Sequence, residues 1–206
     1  MSRWLLALHS STPTLGVAAL DLDAPETSRR VLTRPAGREL TNGLLGVVQE
    51  LLPADHWPSI VRLAVAKGPG GFTGTRLTVV MARTLAQQLG CPLDGWSSFA
   101  LMAPRLAQSA SLAPVEGPFW IVQTLPRRGQ VGGQYQLHPE GCVDELQEPH
   151  LLPDGSSPSP ALTMAENVDA DVGRLLALCL EAYRANASAP WQSVLPIYPT
   201  SPVGVV

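Results

Sequence analysis

Residues 60–66 form a Val-rich, nearly continuous apolar run that leads into Gly68-Pro69-Gly70-Gly71-Phe72-Thr73-Gly74-Thr75-Arg76. A run that is apolar at both parities belongs to a strand buried on both faces, so this segment is expected at the centre of a sheet. Glycines let the backbone after it take φ > 0 and pass close to a neighbour. Residues 75–89 then carry apolar side chains at helical spacing and are closed by Gly90 and Pro92. Buried strand, tight loop and helix in succession confine the chain to an α/β architecture.

The flanking sequence extends that pattern. Residues 4–8, 15–20 and 29–33 read as three neighbouring strands in an antiparallel meander. Leu40, Leu44, Val47, Val48 and Leu51 follow helical spacing, so residues 39–52 are expected as a helix ended by Pro53. Its other side carries Gly43 and Gly46, which cost helix stability but permit close approach of another backbone. Residues 93–96 suit a short strand, and Ser97 or Ser98 can cap a helix running to about 108. The first half thus reads β-β-β-α-β-α with a further β-α appended. That is the order of the ribonuclease-H-like lobe of actin-like proteins.

Residues 109–118, rich in Ser, Ala and Pro, are expected as a hinge between an N-terminal lobe (1–108) and a smaller C-terminal lobe (119–206). In the latter, 119–124 and 130–137 read as paired strands around Pro126-Arg127-Arg128-Gly129. Residues 154–160 read as an exposed loop, 172–183 as a helix and 196–199 as an extended tail.

Composition removes several function classes. The 206 residues carry a formal net charge of −3, which argues against a broad nucleic-acid platform and leaves any nucleic-acid contact indirect or confined to a small patch. Of the basic residues only Lys67 is lysine, which reads as the bias of a GC-rich genome. Cys91, Cys142 and Cys179 are odd in number and widely spaced, fitting neither a disulfide framework nor a zinc site. The apolar start stops at His9-Ser10-Ser11, too short for a secretory signal, and no stretch suits a membrane span. A cytoplasmic protein is expected.

Two phosphate-loop readings of residues 68–76 fail. A Walker A loop requires Lys after the last Gly, where Thr75 stands. A dinucleotide fingerprint requires Gly at the sixth position from Gly68, where Thr73 stands. The run G-P-G-[SG]-F-T-G-x-R between a buried strand and a helix resembles instead the signature of the TsaB (YeaZ) family, with Gly71 where Ser is more usual. The opening residues 5–12 followed by Val17-Ala18-Ala19-Leu20 resemble that family's first hairpin. Ser97-Ser98-Phe99-Ala100-Leu101-Met102-Ala103 resembles its S-S-L-x-A-L-A segment. Arg127-Arg128-Gly129-Gln130-Val131 resembles the end of D-A-R-R-G-E-V, and Pro196-Ile197-Tyr198 resembles the closing P-x-Y.

The resemblance implies an actin-like ATPase (ribonuclease-H-like) fold of two lobes with mixed sheets flanked by helices, the second lobe reduced. It also implies a non-catalytic subunit that pairs with a TsaD-type paralogue, or with itself, and works beside a TsaE-type ATPase in tRNA threonylcarbamoylation. Two departures bear on chemistry. His9 stands where the family commonly has Asp, and Leu125 stands where it has Asp before Ala-Arg-Arg. Neither replaces a carboxylate as a Mg²⁺ ligand, so neither catalysis nor a bound metal is expected. ATP or ADP in the cleft stays open as an alternative, as does a kinase; a peptidase is a more distant one.

In the loop, Phe72 is expected to plug the core and Thr73 to cap the helix. Gly68, Pro69, Gly70, Gly71, Gly74 and Arg76 serve a rigid connector or, secondarily, an anion site. Arg127 and Arg128 are the candidates for an anion or RNA contact, with a solvated hairpin tip as the plainer reading. Apolar residues surround most of the 75–89 helix, which suits burial between sheet and neighbouring helix or contact with a partner on one side. The face expected to meet that partner comprises Gly43, Gly46, Val47, Thr78, Val79, Ala82 and Ala86.

Overall fold

The computed structural model describes residues 2–35, 40–110 and 117–200. The first sheet has the order β3-β2-β1-β4-β5, built from β1 (Trp4–His9), β2 (Thr14–Asp21), β3 (Arg30–Pro35), β4 (Ile60–Ala66) and β5 (Leu93–Trp96). β1, β2 and β3 form the expected antiparallel meander, while β4 lies parallel to both β1 and β5. Residues along β1 alternate between two cores, as the pleat requires. Trp4, Leu6 and Leu8 join the core beneath the helices α1 (Leu40–Leu51) and α2 (Phe72–Leu89). Leu5 and Ala7 face α4 (Val168–Arg184) on the other side. β4 is therefore buried on both faces.

The second sheet has the order β8-β7-β6-β9. β6 (Phe119–Leu125) and β7 (Gly129–Leu137) form the expected antiparallel pair. β8 (Val143–Leu151) pairs with β7, and the three-residue β9 (Ala161–Thr163) runs parallel to β6. Neither was expected, since β8 is almost wholly exposed and lacks a sustained apolar alternation. α3 (Ser98–Ser109) starts at the expected cap, where the Ser97 hydroxyl accepts the Ala100 N–H at 3.0 Å.

The helices do not stay with the half of the sequence that supplies them. α3 sends Phe99, Met102 and Ala103 into the core of the second sheet. α4 returns from the second half to cover the first sheet with Val172, Leu175, Leu176 and Cys179. Arg105 on α3 and Asp171 on α4 join the two helices through bonds of 2.8 and 2.9 Å. The expected hinge falls mostly on 111–116, outside the described residues. Among the described residues no helix is long and apolar enough to cross a membrane.

Candidate functional site

The parallel strands β1, β4 and β5 end at one edge of the first sheet, and the motif loop leaves β4 there. Ligands of open α/β sheets bind at such an edge. Gly68 is buried with φ +98, a conformation side chains rarely adopt. A Cβ at Gly70 would lie 1.9 Å from the Ser11 carbonyl oxygen, so only glycine fits against the β1–β2 connection. Hydrogen bonds pin the loop on every side. Gly71 N–H donates to Ser11 at 3.0 Å, Ser98 N–H donates to Gly68 at 2.7 Å, and the Ser10 hydroxyl donates to Gly74 at 2.9 Å.

Two expectations for this loop are corrected. α2 begins at Phe72, three residues early, with Gly71 as its N-cap and no side-chain cap, so Thr73 does not cap it. Phe72 does not plug the core. It is 38 % exposed and packs its ring on Tyr198, with centroids 4.8 Å apart. Starting the helix at Phe72 turns that side chain outward. It also leaves the Phe72, Thr73 and Gly74 amides without a protein acceptor among the described residues.

The same turn of α2 faces the β6–β7 hairpin across a cleft of about 450 Å³, lined by Gly70, Gly71, Phe72, Leu125, Arg128 and Tyr198 among others. The structure thus brings together the loop, Leu125, Arg128 and the Pro196-Ile197-Tyr198 tail. Arg127 is exposed at the hairpin tip with φ +62 and does not line the cleft. Arg76 is exposed on α2.

His9 lies elsewhere. Its position at the end of β1 puts it on the Leu5 and Ala7 face, under α4, and it is fully buried. Neither ring nitrogen has a partner among the described residues. Burial lowers its pKa to about 4, partly opposed by the Asp171 carboxylate and assisted by Arg105. The imidazole is neutral at pH 7 and withdrawn from the cleft. No group of three or more His, Cys, Asp or Glu among the described residues is arranged to hold a metal ion.

The partner face is also corrected in part. Thr78, Val79, Ala82 and Ala86 are fully buried and point at the sheet. Apolar residues nearly encircle this helix, so spacing alone did not fix which stripe turns inward. The small stripe at 75, 78, 82 and 86 is the one that lets α2 lie close on β1 and β4. Val80 points outward, and with the half-buried Leu77, Met81 and Leu85 and with Leu44 and Leu45 of α1 it lines an apolar groove of about 310 Å³. Leu45 is 56 % and Val80 52 % exposed. Among the described residues, a Cβ at Gly43 or Gly46 would meet nothing within 4 Å. Val47 is half-buried against the core.

Two mixed sheets flanked by helices, with the motif loop at the edge between them, define an α/β fold of the ribonuclease-H-like, actin-like class. A crystal structure from Pseudomonas aeruginosa described as similar to peptidase YEAZ matches 96 % of this chain and 100 % of that one, with TM-score 0.74 and 22 % identity. A second structure, YeaZ from Pseudomonas aeruginosa, matches 95 % and 99 % with TM-score 0.69 and 23 % identity. In sequence, the tRNA threonylcarbamoyladenosine biosynthesis protein TsaB of Bacillus subtilis (strain 168) is 33 % identical over 151 residues, 69 % of this chain. The chain spans 58 % of that curated relative's length. The family model described as TsaD, tRNA N6-adenosine threonylcarbamoyltransferase, matches residues 31–121. In these matches the chain is similar to the TsaB (YeaZ) family.

Proposed function

We propose that this chain is a non-catalytic scaffold subunit in tRNA threonylcarbamoyladenosine biosynthesis. In this reading it pairs in the cytoplasm with a TsaD-type paralogue that modifies adenosine 37 of tRNAs reading ANN codons, beside a TsaE-type ATPase. It forms a homodimer when that paralogue is absent. The observation that carries the reading is the uncovered apolar groove between α1 and α2, flanked by Gly43 and Gly46. Exposed apolar surface of this kind favours association with a complementary face. The cleft supports the inert role, because Leu125 lines it where an acid would serve and His9 is buried away from it.

Pull-down and calorimetry with the TsaD-type paralogue of the same organism test this. A complex at micromolar concentration or tighter is expected, weakened at least about tenfold by Val80→Arg or Gly46→Arg with no loss of thermal stability. No complex at micromolar concentration, or indifference to both substitutions, would sink it. Val79→Arg would not serve, because it buries a charge in the core.

A second reading, a nucleotide held in the cleft, is favoured by Arg128 and by the free amides at the start of α2. Calorimetry with ATP and Mg²⁺ separates the two: Mg²⁺-dependent binding in the isolated chain supports the nucleotide reading.

A further inference from the structure

Several polar contacts cross the seam between the two sheets, and they converge on the start of α3. Ser97 is fully buried and does two jobs. Its hydroxyl oxygen caps α3, and its proton goes to the Glu145 carboxylate on β8. The Tyr135 hydroxyl from β7 donates to the same carboxylate oxygen at 3.0 Å and lies 3.2 Å from Ser97. Burial pushes the Tyr135 phenol far above its ordinary pKa, so it stays a donor. A Cβ at Gly133 would sit 2.5 Å from the Tyr135 hydroxyl, so glycine there makes the room this geometry needs.

A second link runs alongside. Lys67, at the end of β4, reaches across Gly95, where a Cβ would stand 2.9 Å from its Cδ, and meets Glu148 of β8 at 2.9 Å. The Lys67 backbone is fixed at both ends, donating to Trp96 and accepting from Ile197, each at 2.8 Å. α3 itself is packed into both sides. Leu101 belongs to the core under α4, while Phe99 and Met102 belong to that of the second sheet.

We infer that Ser97, Tyr135 and Glu145, with the Lys67–Glu148 pair, form a clamp that holds the two sheets in one relative orientation. The cleft between the motif loop and the β6–β7 hairpin therefore keeps one width, and the chain does not hinge. Burying the Ser97 hydroxyl and the Tyr135 phenol costs desolvation that is recovered only when both are paired, here by a carboxylate reaching in from the otherwise exposed β8, and such networks specify a single arrangement. The inference stands independently of any partner, because every contact is made within this chain.

Double electron–electron resonance on the isolated chain tests it. One nitroxide goes on Cys142, which is exposed in the turn between β7 and β8, and the other on Gln88→Cys at the exposed end of α2; Cys91 and Cys179 are buried. One narrow distance distribution is expected. It should broaden at least about twofold in Glu145→Ala/Lys67→Ala at a temperature where circular dichroism still reports a folded chain. If the double variant does not fold, Tyr135→Phe, which keeps the ring and removes one bond, should broaden the distribution measurably. A broad or bimodal distribution in the parent chain overturns the clamp, and so does an unchanged width in the folded variants.

Discussion

Gly70 and Gly71 are neighbours of identical chemistry with opposite tolerances. A Cβ at Gly70 would overlap the Ser11 backbone, whereas one at Gly71 meets nothing within 4 Å and its φ of −58 suits any residue. Backbone contacts cannot be relieved by a rotamer change. Gly70→Ala is therefore expected to destabilise the chain by on the order of 3 kcal/mol, and Gly71→Ser by less than about 0.5 kcal/mol. Urea unfolding of both variants checks the contrast; similar midpoints would contradict it. The glycine pattern was legible in the sequence, but which glycine the fold depends on was not, since that is set by the chain passing at Ser11. His9 makes a second residue-scale prediction. Its pKa falls from about 6.5 unfolded to about 4 folded, because burial disfavours the imidazolium. The unfolded chain binds more protons between those values, so stability is full above about pH 6.5 and is lost as pH falls toward 4. The loss is on the order of 3 kcal/mol. A His9→Leu variant should show a shallower decline over that window in chemical denaturation at stepped pH.

At the scale of elements, α1 carries a conflict between its own stability and an outward role. Gly46 is exposed in the second turn of α1, and a methyl group there would meet nothing within 4 Å among the described residues. Gly46→Ala is expected to stabilise the isolated chain by about 0.5–1 kcal/mol, because alanine loses less backbone entropy on entering a helix. If the glycine is there so that a partner helix can approach, the same change weakens pairing with the TsaD-type paralogue. Thermal unfolding and binding measured on one preparation should then move in opposite directions; unchanged binding would remove the glycine from the interface. The helices and central strands were legible because their apolar spacing is long and regular. The phase of α2 was not, since nearly every side of it is apolar. Nor was β8, whose place comes from pairing with β7 and from Glu145 and Glu148 reaching across the seam.

At the scale of the whole molecule, sequence order predicted the first sheet but not the exchange in which α3 serves the second core and α4 the first. That exchange depends on contacts between distant segments, such as Arg105 with Asp171, which no local pattern encodes. Charge, in contrast, is a property of the entire chain and was readable at once. The net charge is −3. Five of the 14 basic residues are committed to ion pairs: Arg3, Arg34, Arg62, Lys67 and Arg105 each meet a carboxylate. Arg127 and Arg128 are exposed together at the β6–β7 turn, with no ion pair among the described residues. Each phosphate neutralised adds about 0.7–0.9 to the slope of log affinity against log salt. Two arginines can therefore support a slope no steeper than about −2, and affinity for tRNA at physiological salt no tighter than the non-specific range of about 1–100 μM. Filter binding of the isolated chain to tRNA across a salt series measures both quantities. Arg127→Ala/Arg128→Ala should flatten the slope toward zero. A steep slope that survives the double substitution would locate an RNA surface elsewhere on the molecule and refute a contact confined to this turn.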